Sequence, residues 1–189
     1  ANILNFFNAG ASSTYSFYVA RSGGTGGDTE FHLRGDGNGY CDGTWNIGNA
    51  DYAEYFETVS GSPIDIGKVV VLNGEKVREY NSDTDAVEDI IGVVRPKVGA
   101  AGTIGNHPLK WHKKYLRDDY GAYILDENGE RQLNPAYDPE LEYETRESRD
   151  EWVVVGLVGQ VVMLATEPKH PSWKKMSDVG VDKEKYFIK

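Results

Sequence analysis

Apolar residues follow two different rhythms along this chain. Through residue 49 they come in short bursts: Ile3, Leu4, Phe6 and Phe7; then Tyr15, Phe17, Tyr18 and Val19; then Phe31 and Leu33. Between the bursts lie Gly23-Gly24-Thr25-Gly26-Gly27 and Gly35-Asp36-Gly37-Asn38-Gly39. Short strands separated by Gly/Asn/Asp turns predict a β-meander or a β-helix. So small a segment cannot repay the entropy of ordering its own aromatics, so it needs an upstream stem or identical chains wound beside it. A fibrous oligomer is expected for residues 1–50.

From Asp51 onward the rhythm tightens into a compact, mainly β domain. Lys68–Leu72 and Glu75–Glu79 flank Asn73-Gly74, the residue pair of a two-residue hairpin turn. Ile90-Ile91-Gly92-Val93-Val94 predicts a buried strand stopped by Pro96, and Asn128-Gly129 predicts a second turn between Ala122–Leu125 and Arg131–Leu133. The most apolar run, Val153–Leu164, predicts two core strands around its glycines. Helix is scarce: a turn or two over Trp111–Arg117 and another over Ser172–Asp178.

At 189 residues the chain suits one globular domain with an appendage: stem 1–50, compact domain 51–189. The start at Ala1, with no methionine or signal-like segment, predicts a longer parent protein. The net charge of -10 is uneven, with two basic against four acidic residues through residue 50 and eighteen against twenty-six afterwards. An acidic domain argues against tracking nucleic-acid phosphates. The Val153–Leu164 run is too short for a membrane span. Cys41 is the single cysteine, which excludes a disulfide framework and a Cys-pair zinc site.

Most candidate motifs reduce to turn or surface chemistry. Arg34-Gly35-Asp36 is an adhesion tripeptide by letter, set in a Gly-rich turn. Asp36, Asn38, Tyr40 and Asp42 alternate like calcium ligands but lack the closing bidentate Glu. His107 and His112 have no cysteine nearby, so no metal is expected, and no cofactor fingerprint occurs. Asp126–Glu151 reads as a solvated acidic surface. His112, Lys113 and Lys114 form a small basic cluster, equally a salt-bridge partner or a catalytic aid.

Asp51-Tyr52-Ala53-Glu54-Tyr55-Phe56-Glu57 is different, because it sits where composition changes. In an extended strand Asp51 and Glu54 point to opposite faces and cannot act together within one chain. In a turn they converge, and two close carboxylates split into an acid and a base able to work on an adjacent amide.

The run Ala50–Glu57 resembles the opening motif of the autoproteolytic intramolecular-chaperone domain of phage tail spikes and fibres, the glutamic-peptidase type of pre-neck appendage proteins. The likeness continues through Gly67-Lys68-Val69-Val70, Asp89–Val94, Trp111–Leu116 with Asp119, Asn134–Pro139, Trp152 and Val155–Gly159. It thus spans residues 50–189. It implies a homotrimer assembled with the upstream stem, followed by self-cleavage between Ala50 and Asp51. Glu54 is then the catalytic base, Asp51 its partner and the new N-terminus, with Lys113 or His112 as oxyanion auxiliaries. The residue before the cut is Ser or Ala in such proteins, and Ala50 offers no hydroxyl nucleophile. The implied setting is a virion fibre made in the bacterial host cytoplasm. The competing expectation is a non-cleaving trimeric tip that holds host-surface glycans on faces drawn from twelve tyrosines and four tryptophans.

Overall fold

The computed structural model describes residues 14–23, 26–43, 51–98, 103–108 and 114–189. These residues are mainly β, with a single 3-10 turn at Val87–Asp89 as their helical content. They fall into two compact units: one takes in the described parts of Ala1–Asn46 with Leu116–Gln132, the other those of Ile47–Tyr115 with Leu133–Lys189.

The first unit holds an antiparallel meander of β1 (Ser16–Arg21), β2 (Thr29–Arg34) and β3 (Gly39–Cys41). A meander is one of the two arrangements that the burst pattern leaves open, and the first burst, Ile3 to Phe7, lies outside the described residues. The turn after β2 explains the adhesion-like tripeptide. Arg34 pairs with Asp36 at 2.5 Å, while the Asp36 Oδ1 accepts from the Asn38 backbone N–H at 3.1 Å. The Arg34 hydrogen bond holds the Asp36 carboxyl well below its ordinary value, at about 2. Acids 118 and 126 serve turns as well. The Asp118 Oδ1 accepts from Tyr120 and Ala122 N–H groups, and the Asp126 Oδ1 from those of Asn128 and Glu130. Part of the expected solvated acidic surface is therefore turn-capping side chain.

The second unit is built on one mixed sheet. Its strands are β4 (Asp51–Glu57), β5 (Val69–Asn73), β6 (Lys76–Glu79), β7 (Ile90–Arg95), β8 (Thr103–Gly105), β9 (Trp152–Leu164), β10 (Lys174–Val179) and β11 (Lys183–Ile188). The main path runs β10-β11-β9-β7-β5-β6. β9 pairs with β4 from Trp152 to Gly159, with β7 from Val154 to Gly156 and with β11 from Gly159 to Leu164. β8 adds to β4 in parallel.

Alternate residues of β5 and β7 enter two different cores, and the two ends of β9 divide between them. Val69, Val71, Val93, Val161 and Met163 pack with Trp173, Tyr186 and Ile188. Val70, Val94, Val153 and Val155 pack with Ile64 and Val77 on the other face. A sheet buried on both faces needs unbroken apolar runs, which is why these segments do not alternate in sequence.

Three expectations change. Val153–Leu164 is part of one continuous thirteen-residue strand, because β9 has different neighbours at its two ends and its glycines relieve crowding without breaking it. Ser172–Asp178 is not helical: its last five residues belong to β10, an edge strand paired with β11. Within Trp111–Arg117 the described residues 114–117 are extended, with a Tyr115–Leu133 bridge. The β5–β6 hairpin forms as expected but one residue along. Asn73 pairs with Lys76, leaving Gly74-Glu75 as the loop, because Gly74 supplies the positive φ of 63°.

Candidate functional site

β4 is the strand on which the singled-out carboxylates lie. Its burial alternates: Asp51, Ala53 and Tyr55 are buried, while Tyr52 is exposed and Glu54 half-buried. Asp51 and Glu54 therefore face opposite sides, the strand outcome of the two the sequence leaves open. Within one chain they do not form a converging pair.

Asp51 finds a different partner. Its Oδ2 lies 3.0 Å from Arg95 Nε, with the side chains only 1 % and 10 % exposed. Asp51 belongs to β4 and Arg95 ends β7, so the pair spans the intervening β9. The crossing is possible because β9 has no side chain there: a Cβ on Gly156 would lie 3.2 Å from Asp51 Oδ2 and 3.2 Å from Arg95 Cγ. A β-bulge falls at the same place, where Tyr52 pairs with Val158 but Ala53 with Gly156. A buried carboxylate needs a paired charge, and the glycine gap lets one reach it.

Glu54 has its own support. The Tyr52 hydroxyl donates to Glu54 Oε1 at 2.6 Å. β8 runs beside them with Glu54 opposite Gly105, where a Cβ would approach Tyr52 Oη to 2.7 Å. The hydrogen bond to Glu54, followed by burial, raises the Tyr52 phenol above its ordinary value, so it remains a donor at neutral pH. β8 is closed by Asn106, which takes φ 57° and donates from Nδ2 to the Tyr55 carbonyl at 2.8 Å. His107 then stacks on Tyr55 with ring centroids 4.7 Å apart and stands 3.9 Å from Glu147.

Of the residues expected to take part, Asp51 and Glu54 thus share one strand but not one face. Ala50, His112 and Lys113 lie outside the described residues. Among the described residues no group of three or more His, Cys, Asp or Glu could hold a metal ion. Sequence reasoning missed Arg95, Tyr52, Gly105 and Gly156. A signal existed for Arg95, a charge closing an apolar run just before Pro96. Nothing local marks the two glycines, since their neighbours come from distant strands.

The chain resembles proteins of known type. The sequence model of the family described as Peptidase_G2, IMC autoproteolytic cleavage domain, matches residues 20–169. The pre-neck appendage protein of Bacillus phage B103 is 36% identical over 128 residues, covering 64% of this chain and 14% of that protein. A putative phage-related protein, YobO, of Bacillus subtilis (strain 168) is 36% identical over 135 residues, covering 66% of this chain and 16% of that one. The chain thus spans about a seventh of the relatives it matches. The crystal structure of the pre-mature bacteriophage phi29 gene product 12 shares the fold, with a TM-score of 0.72 at 23% identity, over 86% of this chain and 25% of that one. The C-terminal fragment of the same product aligns over its whole length and 74% of this chain, with a TM-score of 0.58 and 26% identity.

Proposed function

This chain belongs to the Peptidase_G2 family of IMC autoproteolytic cleavage domains, and on that premise we propose that it is the C-terminal intramolecular chaperone of a phage tail fibre or spike. Residues 51–189 bring three chains together, set the register of the stem ending at residue 50, and then cut the Ala50–Asp51 bond. The pre-neck appendage relatives support the virion setting.

The observation that carries the reading is the placement of Asp51 and Glu54 on opposite faces of β4. A chain arranged in this way does not complete the pair alone, so cutting waits for a neighbour. Slow, register-prone β association then gains a built-in mark of completion.

In the proposed reaction Glu54 takes a proton from water, and the resulting hydroxide adds to the Ala50 carbonyl. The C–N bond then breaks. Ala50 leaves as a carboxylate, and the nitrogen gains a proton to become the α-amine of Asp51. Asp51, anchored by Arg95, fixes the leaving side of the bond. Direct attack by the Asp51 carboxylate is less favoured, because the Arg95 pair holds that carboxylate.

Glu54→Gln keeps the size and hydrogen bonding of the side chain but removes the base, so the cut should slow by ~10²–10⁴-fold. Mass spectrometry of freshly made protein should find wild-type pieces ending at Ala50 and beginning at Asp51, with the variant whole. Cutting of Glu54→Gln at the parental rate would refute Glu54 as base. A parent that stays whole as a trimer would instead favour the glycan-binding tip.

A further inference from the structure

We propose that Tyr52 is a positioning residue for Glu54, aiming the carboxylate through its hydroxyl across a gap kept open by Gly105. The inference rests on the reading of Glu54 as the catalytic base. Tyr52 and Glu54 are two residues apart on β4, so they share a face. The hydroxyl donates to Oε1 at 2.6 Å, which leaves Oε2 to accept a proton from water.

The neighbouring strand is shaped for this pair. β8 sets Thr103 beside Tyr52 and Gly105 beside Glu54. A Cβ at Gly105 would stand 2.7 Å from Tyr52 Oη, 3.1 Å from Glu54 Cγ and 3.5 Å from Glu54 Oε1. Gly105 does not adopt a positive φ, so its backbone makes no demand for glycine. The demand comes from the space that the hydrogen-bonded pair fills.

A purely structural account is available, since the Tyr52 ring lies opposite Val158 and covers strand surface. Tyr52→Phe separates the two, because it keeps the ring and removes only the hydroxyl. Losing a hydrogen bond to a charged group should slow the cut roughly 10- to 100-fold. Gly105→Ala keeps every polar group but crowds the pair, and it should slow the cut as well.

The experiment follows cleavage from pH 5 to 8 in the parent, Tyr52→Phe, Gly105→Ala and Glu54→Gln. Sedimentation and thermal melting check that each variant folds and assembles. Slow cutting by Tyr52→Phe whose melting and assembly match the parent supports the inference. A parental rate in Tyr52→Phe overturns it, as does a loss that merely follows loss of assembly. If Glu54→Gln cuts like the parent, the base reading itself fails; if Glu54→Gln is inert while Tyr52→Phe is parental, only the role of Tyr52 falls.

Discussion

At the scale of single residues, the Asp51–Arg95 pair shows how a charge becomes tolerable inside a sheet. Both side chains are almost fully enclosed, and each is costly without the other. Arg95→Met removes the charge paired with the Asp51 carboxylate and should lower stability by about 3–5 kcal/mol. Urea unfolding in a Glu54→Gln background, at fixed protein concentration, measures this without interference from cutting. A loss under about 1 kcal/mol would mean that the pair is solvated and contributes as little as a surface ion pair. Glu54 is the opposite case. It is half-buried, and its hydrogen-bond donor is a neighbouring phenol.

Among the elements, the β5–β6 hairpin and the segment after it illustrate local rules meeting long-range ones. Gly74 makes the loop, but the chain beyond β6 is pinned by Asp85. Its carboxylate takes both Arg78 amines at 2.6 and 2.7 Å and the Asn81 N–H at 2.8 Å. The Arg78 hydrogen bond, then the Asn81 amide, holds the Asp85 carboxyl far below its ordinary value. A carboxyl depressed in the folded state stabilises fully above its unfolded value of about 4 and loses that contribution as pH falls further. The melting temperature of the parent should therefore exceed that of Asp85→Asn at neutral pH, and the gap should close on acidification below about pH 4. A gap independent of pH would assign the difference to shape rather than charge. The limit of local rules shows in β9. Its glycines suggest a break, yet the strand continues because β4 pairs with its first part and β11 with its last, the two pairings overlapping at Gly159.

For the whole molecule, the two units and the charge distribution bear on assembly. Residues 51–189 carry eight more acidic than basic residues, so three chains would gather roughly -24 if fully ionised. Exposed charges repel over about 8–10 Å at moderate salt and farther at low salt. Under the proposed reading sedimentation should find the parent chain trimeric, and repulsion should make the released 51–189 piece dissociate more readily as salt is lowered, with multivalent cations opposing it. A stable monomer at micromolar concentration would remove the assembly reading, and release indifferent to salt would remove the electrostatic one. The grouping of Leu116–Gln132 with the meander strands gives this a topological side. A segment that follows the Ala50–Asp51 bond in sequence packs with residues that precede it. Breaking that bond does not by itself break this packing.

The sequence alone determined that the chain is mainly β, where its hairpin and its Val-rich core strands lie, and which heptapeptide stands out as the candidate site. These follow from local causes: a glycine with positive φ, β-branched runs, and a motif whose order along the chain is its signature. It also determined that Asp51 and Glu54 would part company if the segment were a strand, because side chains alternate with period two. What it left open was whether the segment is a strand, and only the tertiary structure decided that, by pairing β4 with β9 a hundred residues away and with β8 on its other side. The same distant pairings chose Arg95 for Asp51 and Gly105 for Glu54. Alternation fixes the face of a residue, but register between remote strands fixes its neighbour, and register is set by the packing of the whole sheet.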